Sequence, residues 1–145
     1  MNTPVLGQPA PDFALPATAT KTVRLADLRG HIVVLYFYPK DNTPGCTQEA
    51  QDFRDYAAKF DALDTIVLGV SRDGLRSHEG FRAKESLPFD LLSDADSAIC
   101  RAYDVKEVER STFLIDRDGV LQREWRQVKV TGHVQEVLKA LNVEE

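Results

Sequence analysis

Two cysteines among 145 residues are too few for a disulfide framework. In a reducing compartment such thiols point to catalysis or to plain burial. No apolar run approaches the ~20 residues needed to span a bilayer. Met1-Asn2-Thr3-Pro4-Val5 lacks the basic start and the long apolar stretch of a signal peptide. These absences set cytoplasmic residence and no membrane partner as the expectation. The net charge of −5 is spread without a block of like charges, so no nucleic-acid partner is expected. A glycine-rich dinucleotide loop is missing, which argues against a flavin or nicotinamide cofactor. His31, His78 and His133 stand apart from one another and from the cysteines. No metal site is therefore expected, and each histidine reads as a surface or packing residue. Repeats and linkers are also missing, so residues 1–145 read as one domain. A chain of this length buries roughly 68–70% of its unfolded surface, enough for a core without a disulfide or metal.

What is present begins with a hairpin. The proline-rich opening Gly7 to Asp12 leads into a strand near Phe13–Leu15, and Thr22–Arg24 pairs with it. Leu25 to Gly30 reads as one helical turn closed by glycine. His31 to Tyr38 is a β-branched and aromatic run, the pattern of a strand covered on both faces. After Pro44 the positions Ala50, Phe53, Ala57 and Phe60 predict a helix to about Lys59. Thr65–Val70 and Phe89–Leu92 read as strands, and Gly74–Ser86 and Ala95–Tyr103 as helices. Thr112–Ile115 and Val120–Trp125 form a hairpin about Asp118-Gly119, and Val134 to Leu141 marks a closing amphipathic helix. The sum is an α/β sandwich with a mixed central sheet, flanking helices and an N-terminal β-hairpin, in a thioredoxin-like arrangement.

Between the central strand and its helix lies Pro39-Lys40-Asp41-Asn42-Thr43-Pro44-Gly45-Cys46. The two prolines fix the backbone on either side of the loop. Thr43 stands at the N-cap position and Pro44 at the favoured first helical position, so Cys46 falls in the first turn. Its sulfur then lies near unpaired N–H groups and the positive end of the helix dipole, which favour an anion. The thiolate is the nucleophilic form of cysteine. Glu49, three residues on, either closes a capping box or holds an incoming arginine. From these residues alone, an activated thiol and a merely buried one both stand.

Cys46-x-x-Glu49 is not the Cys-x-x-Cys of a disulfide reductase. The next arginine, Arg54, is inside the predicted helix, which argues against a cysteine phosphatase. Pro39-x-x-x-Thr43-x-x-Cys46 resembles the peroxiredoxin signature, and Phe37 to Thr47 resembles the Q-type branch, the bacterioferritin comigratory proteins. Ser71-Arg72-Asp73, Leu91-Leu92-Ser93-Asp94, Arg110 to Asp116 and Trp125-Arg126-x-Val128-Lys129-Val130 match in family order.

The resemblance implies a thiol-dependent peroxidase without a cofactor. In it Cys46 attacks a hydroperoxide and becomes a sulfenic acid. Thr43 hydrogen-bonds the peroxide, and Arg110 stabilises the thiolate and the charge on the leaving oxygen. N–H groups at Gly45 and Cys46 complete the cradle, Pro39 shapes the loop, and Arg126 is read as a solvated edge charge.

The resemblance also implies a second thiol in many relatives, five residues after the first or in the next helix. Gln51 and Arg82 occupy those places here. Cys100 is then either a packing residue, the preferred reading, or a resolving thiol. On the first reading Cys46 acts alone and thioredoxin, glutaredoxin or glutathione regenerates it. A peroxide sensor or holdase using the same sulfenic acid is the further alternative. The stretch between Val105 and Glu109 is shorter than in the family, and Q-type relatives suggest a monomer.

Overall fold

The computed structural model describes residues 4–106 and 109–144. Its strands are β1 (Ala14–Ala17), β2 (Lys21–Arg24), β3 (Ile32–Phe37), β4 (Thr65–Ser71), β5 (Asp90–Ser93), β6 (Ser111–Ile115) and β7 (Leu121–Trp125). Its helices are α1 (Pro44–Asp55), α2 (Ala57–Ala62), α3 (Leu75–Glu85), α4 (Ala98–Ala102) and α5 (His133–Glu144). The strands form one sheet in the order β2-β1-β5-β4-β3-β6-β7. β4 runs parallel to both β3 and β5, and the other pairs are antiparallel. The N-terminal hairpin joins the sheet through β1, where Ala17 faces Leu92 of β5. The connection between Val105 and Glu109 contains residues 107 and 108, so its expected shortening lies partly outside the described residues.

Strand periodicity decides which side chains meet. On one face of β3, Ile32, Val34, Tyr36 and Tyr38 pack with Cys46, Ala50 and Phe53 of α1, Phe60 of α2, Phe81 of α3 and Val134, Val137 and Leu141 of α5. On the other, Val33, Leu35 and Phe37 pack with Phe13, Leu15, Phe113 and Tyr103, and Ile99 and Cys100 of α4 lie against this second cluster. The sheet thus separates the two cysteines. Gly69 of β4 stands opposite Tyr36 in register. A Cβ there would come within 3.0 Å of the Tyr36 ring and hydroxyl and 2.9 Å of Leu91 Cδ2. Only glycine lets this tyrosine lie across the neighbouring strand and stack on Phe53, ring centroids 4.6 Å apart.

Two expected helices end differently. The helix after Pro44 does not run unbroken to Lys59. Tyr56 leaves helical geometry (φ −102°, ψ 11°), and α2 begins at Ala57. The apolar spacing conceals the break because Lys59 and Phe60 both still donate to the Tyr56 carbonyl. The helix expected over Ala95–Tyr103 shrinks to Ala98–Ala102. Ser97 takes a positive φ of 62°, and the Asp94 carboxylate receives the N–H groups of Ile99 and Cys100 at 3.1 and 2.9 Å.

Candidate active site

β3 delivers the chain to the sheet's upper edge, and Pro39 to Thr43 turn it into α1. Asn42 makes the turn with φ 63°, a left-handed conformation that asparagine tolerates. Thr43 occupies the N-cap position with extended backbone, followed by Pro44 at the first helical position. Its hydroxyl does not cap the helix, contrary to expectation. It donates instead to the Lys40 carbonyl at 2.8 Å. The turn at Asn42 brings that carbonyl within reach of the hydroxyl proton, and no first-turn N–H among the described residues donates to the hydroxyl oxygen. The hydroxyl's lone pairs stay available as acceptors.

Cys46 is buried, with 1% of its surface exposed. Arg110, immediately before β6, reaches it from the strand beside β3. Arg110 Nη1 is 3.5 Å from Cys46 Sγ and 2.8 Å from Glu49 Oε1. Gly45 permits this approach, since a Cβ there would meet Arg110 Nη2 at 3.0 Å. Glu49 is therefore an arginine holder and not part of a capping box. Its side chain is fully buried, and Oε2 has no hydrogen-bond partner among the described residues.

Burial pushes the Glu49 carboxyl up to about 7, against the pull of Arg110. Arg110 itself is only partly buried. Burial disfavours its charge, but Glu49 and Cys46 together outweigh that and hold the guanidinium above its ordinary value. Folded Glu49 thus keeps its proton to about pH 7, whereas an unfolded glutamate releases it near 4.5. Stability from this group is present below that lower value and declines as pH rises through the window. Glu49→Gln is expected to flatten the decline, on the order of 2–3 kcal/mol. Urea midpoints of both proteins at pH 5 and pH 7.5 check this.

Other residues depart from the sequence reading. Arg126 is no solvated edge charge. It donates to the carbonyls of Tyr103 and Asp104 at 2.9 and 2.6 Å, pairs with Glu124 and Glu109, and lies over the Phe113 ring. It thereby braces both ends of the segment before Arg110. Gln51 bonds Glu85 at 2.8 Å, and Arg82 bonds the Phe89 carbonyl at 3.0 Å, so polar ties between elements fill both places where a second thiol was sought. Burial and Asp94 push the Cys100 thiol up to about 12. His133 is buried against Thr112, and burial with the nearby Arg110 charge pulls it down to about 4. A cavity of about 380 Å³, lined by Lys106, Glu109, Gln127 and Val128, opens onto Arg110.

The chain that carries this arrangement, a first-turn thiol faced by an arginine that a buried carboxyl holds, is similar to known proteins. The AhpC/TSA family model matches residues 6–124. Peroxiredoxin Bcp of Bacillus subtilis is 49% identical over 147 residues, covering 94% of each chain. The chain belongs to the AhpC/TSA family, on its Q-type peroxiredoxin branch. Peroxiredoxin Bcp of Xanthomonas campestris is 46% identical, covering 97% of this chain and 96% of that one. A solved peroxiredoxin Q of the same organism superposes with a TM-score of 0.91 at 43% identity, covering 97% of both chains. A further structure is of the Xanthomonas campestris bacterioferritin comigratory protein, solved for its alkyl peroxide reduction activity. It has a TM-score of 0.91 and 42% identity, covering 97% of this chain and 98% of that one. The fold is thioredoxin-like, and this peroxiredoxin is a thiol-dependent oxidoreductase that reduces peroxide.

The sequence reading gave no role to Tyr38, Asp41 and Ser77 and took His78 for a surface or packing residue. The structure gathers them into one buried polar cluster beneath the loop. The one available signal was weak: His78 stands three residues before Phe81, on the same side of the predicted helix.

Proposed function

We propose that Cys46 is the peroxidatic nucleophile of a one-cysteine peroxiredoxin acting on hydrogen peroxide and organic hydroperoxides. The observation that carries this reading is Arg110 Nη1, shared between Cys46 Sγ and Glu49 Oε1, with Nη2 lying close over Gly45. The Cys46 thiolate attacks the near oxygen of the hydroperoxide. A sulfur–oxygen bond forms, the O–O bond breaks, and its electron pair leaves on the far oxygen. Thr43 accepts a hydrogen bond from the peroxide. Arg110 and the N–H groups of the first turn meet the charge that develops, and the leaving oxygen takes a proton to become water or an alcohol. Pro39 and Gly45 shape the cradle. Organic hydroperoxides are included in keeping with the alkyl peroxide activity named for the Xanthomonas protein.

Cys46 is then a sulfenic acid. An external thiol condenses with it, releasing water, and a second thiol frees Cys46 as a disulfide leaves. Thioredoxin, glutaredoxin and glutathione are the candidates. Two observations favour this over resolution by Cys100. The sheet lies between the two cysteines, whereas a disulfide needs Cα atoms within about 7 Å. A thiol held near 12 is also almost wholly protonated at neutral pH and a weak attacker. We read the chain as one domain, a cytoplasmic monomer. Both cysteines are free, and its exposed large apolar side chains among the described residues are Val5 and Leu6.

Intact mass after one equivalent of hydrogen peroxide, without added thiol, tests this. A gain of one oxygen at Cys46 is expected, unchanged in Cys100→Ser. Loss of two hydrogens would establish a Cys46–Cys100 disulfide and overturn the one-cysteine reading. Consumption of many equivalents with a dithiol reductant separates an enzyme from a sensor that stops at one.

A further inference from the structure

One peptide plane in the loop that carries Thr43 is tied at both ends. The carbonyl of the Lys40–Asp41 peptide accepts the Thr43 hydroxyl at 2.8 Å, and the N–H of the same unit donates to Asp73 Oδ2 at 2.8 Å. A planar amide cannot rotate one end without the other. Whatever fixes the N–H of Asp41 therefore fixes where the Thr43 proton points.

Asp73 is itself held from two strands. Ser71 Oγ donates to its Oδ2 at 2.7 Å, and Ser93 Oγ donates to its carbonyl at 2.7 Å. The Asp41 side chain is anchored separately. Its carboxylate accepts Tyr38 Oη at 2.6 Å and Ser77 Oγ at 2.8 Å, and lies 2.7 Å from His78 Nδ1. His78 Nε2 lies 2.9 Å from the Leu92 carbonyl, an acceptor only, so that nitrogen donates. Asp41 and His78 side chains are 1% and 0% exposed. Burial opposes the Asp41 charge, but His78, Tyr38 and Ser77 hold its carboxyl below the ordinary range.

Asp41, Asp73 and His78 bring three ligand-type atoms within 4.8 Å of one another. All three are already engaged in these hydrogen bonds, so the cluster is scaffolding. A buried polar pair of this kind contributes little net stability once desolvation is counted. What this one supplies is a fixed direction for the loop backbone.

We propose that Asp73 and the Asp41–His78 pair are positioning residues that lock the Lys40–Asp41 peptide and thereby commit the Thr43 proton to Lys40, leaving Thr43 a pure acceptor toward the peroxide. The effect is on substrate selection at the first step. A hydroperoxide, which carries an O–H, is received by the hydroxyl's lone pairs. A loop free to turn lets Thr43 swing its proton toward the substrate and compete with that O–H. The inference rests on Cys46 being the peroxidatic residue and Thr43 its peroxide partner.

The test is a mutant cycle on the full chain, reading the rate of Cys46 oxidation by hydrogen peroxide and, separately, the rate of Cys46 alkylation by iodoacetamide. Asp73→Ala is expected to slow peroxide oxidation about tenfold, as lost positioning does, while alkylation changes less than twofold. Asp73→Asn, which keeps an acceptor oxygen, recovers most of the loss. In a Thr43→Val background, Asp73→Ala has no further effect, because the hydroxyl it orients is gone.

An Asp73→Ala protein oxidised at the wild-type rate overturns the proposal. So does an equal loss in the Thr43→Val background, or alkylation falling in step with oxidation. Should the alanine variant fail to fold, Ser71→Ala, which removes an anchor of Asp73, takes its place in the same cycle. Failure of the wild-type chain to oxidise at Cys46 defeats the functional reading instead. Additive variants on an active wild type defeat only the peptide lock.

Discussion

Arg110→Lys is expected to slow oxidation of Cys46 by hydrogen peroxide by about 10²- to 10³-fold, the loss typical of removing a donor aimed at developing charge. The charge is conserved in this substitution, so the loss isolates geometry. The guanidinium fork puts one nitrogen between Cys46 Sγ and Glu49 Oε1 and lays the other over Gly45. A lysine ammonium is a compact point charge on a flexible stem and cannot repeat that fork. Drawn to the buried Glu49, it leaves the sulfur and the leaving oxygen without a directed donor. Stopped-flow rates over a range of peroxide concentrations check this. A lysine variant within threefold of wild type would show that net charge alone suffices and that the fork is incidental.

Phe53→Ala is expected to destabilise the protein by about 3–5 kcal/mol, the usual cost of emptying a large aromatic site. Phe53 is fully buried. Its ring stacks on Tyr36 at 4.6 Å and meets Phe60 at 5.7 Å, Phe89 at 6.4 Å and His133 at 6.4 Å. It thus joins α1 to β3, α2, α5 and the residue before β5. Tyr36 cannot collapse into the space, because it is wedged over Gly69 and beside Leu91. The cavity therefore stays open. Urea unfolding with an unchanged m-value measures the loss. A cost below about 1 kcal/mol would mean that the aromatic cluster repacks around the gap.

How far the sequence reveals this site depends on whether a contact is local. Pro39, Thr43, Gly45 and Cys46 lie in one turn, and prolines and a helix start constrain that turn whatever surrounds it. Glu49 as a partner for an arginine is also local on one side, and the family resemblance supplied Arg110 on the other. The strands were legible because β3 reads as an unbroken apolar run. Contacts to backbone groups were not. The Thr43 hydroxyl had a ready local alternative in the helix cap, and only the left-handed turn at Asn42 brings the Lys40 carbonyl within reach. Arg126 finds its partners at the carbonyls of Tyr103 and Asp104, atoms that every residue carries and no pattern marks. The break at Tyr56 hides because one non-helical residue preserves the spacing of Phe53 and Phe60. The Asp41–His78 pair is hidden for a related reason. A polar side chain in a loop and another on a helix look solvated until the fold closes over both.

The sheet standing between Cys46 and Cys100 has a kinetic consequence for the one-cysteine reading. A sulfenic acid with no partner on its own side of the wall must wait for a thiol to arrive by diffusion. During that wait a second peroxide competes for the same sulfur and drives it to the sulfinic state, which ordinary thiols do not reverse. The number of cycles each molecule completes is then a race between reductant and oxidant. The working life of the protein is set by the ratio of the two in its surroundings.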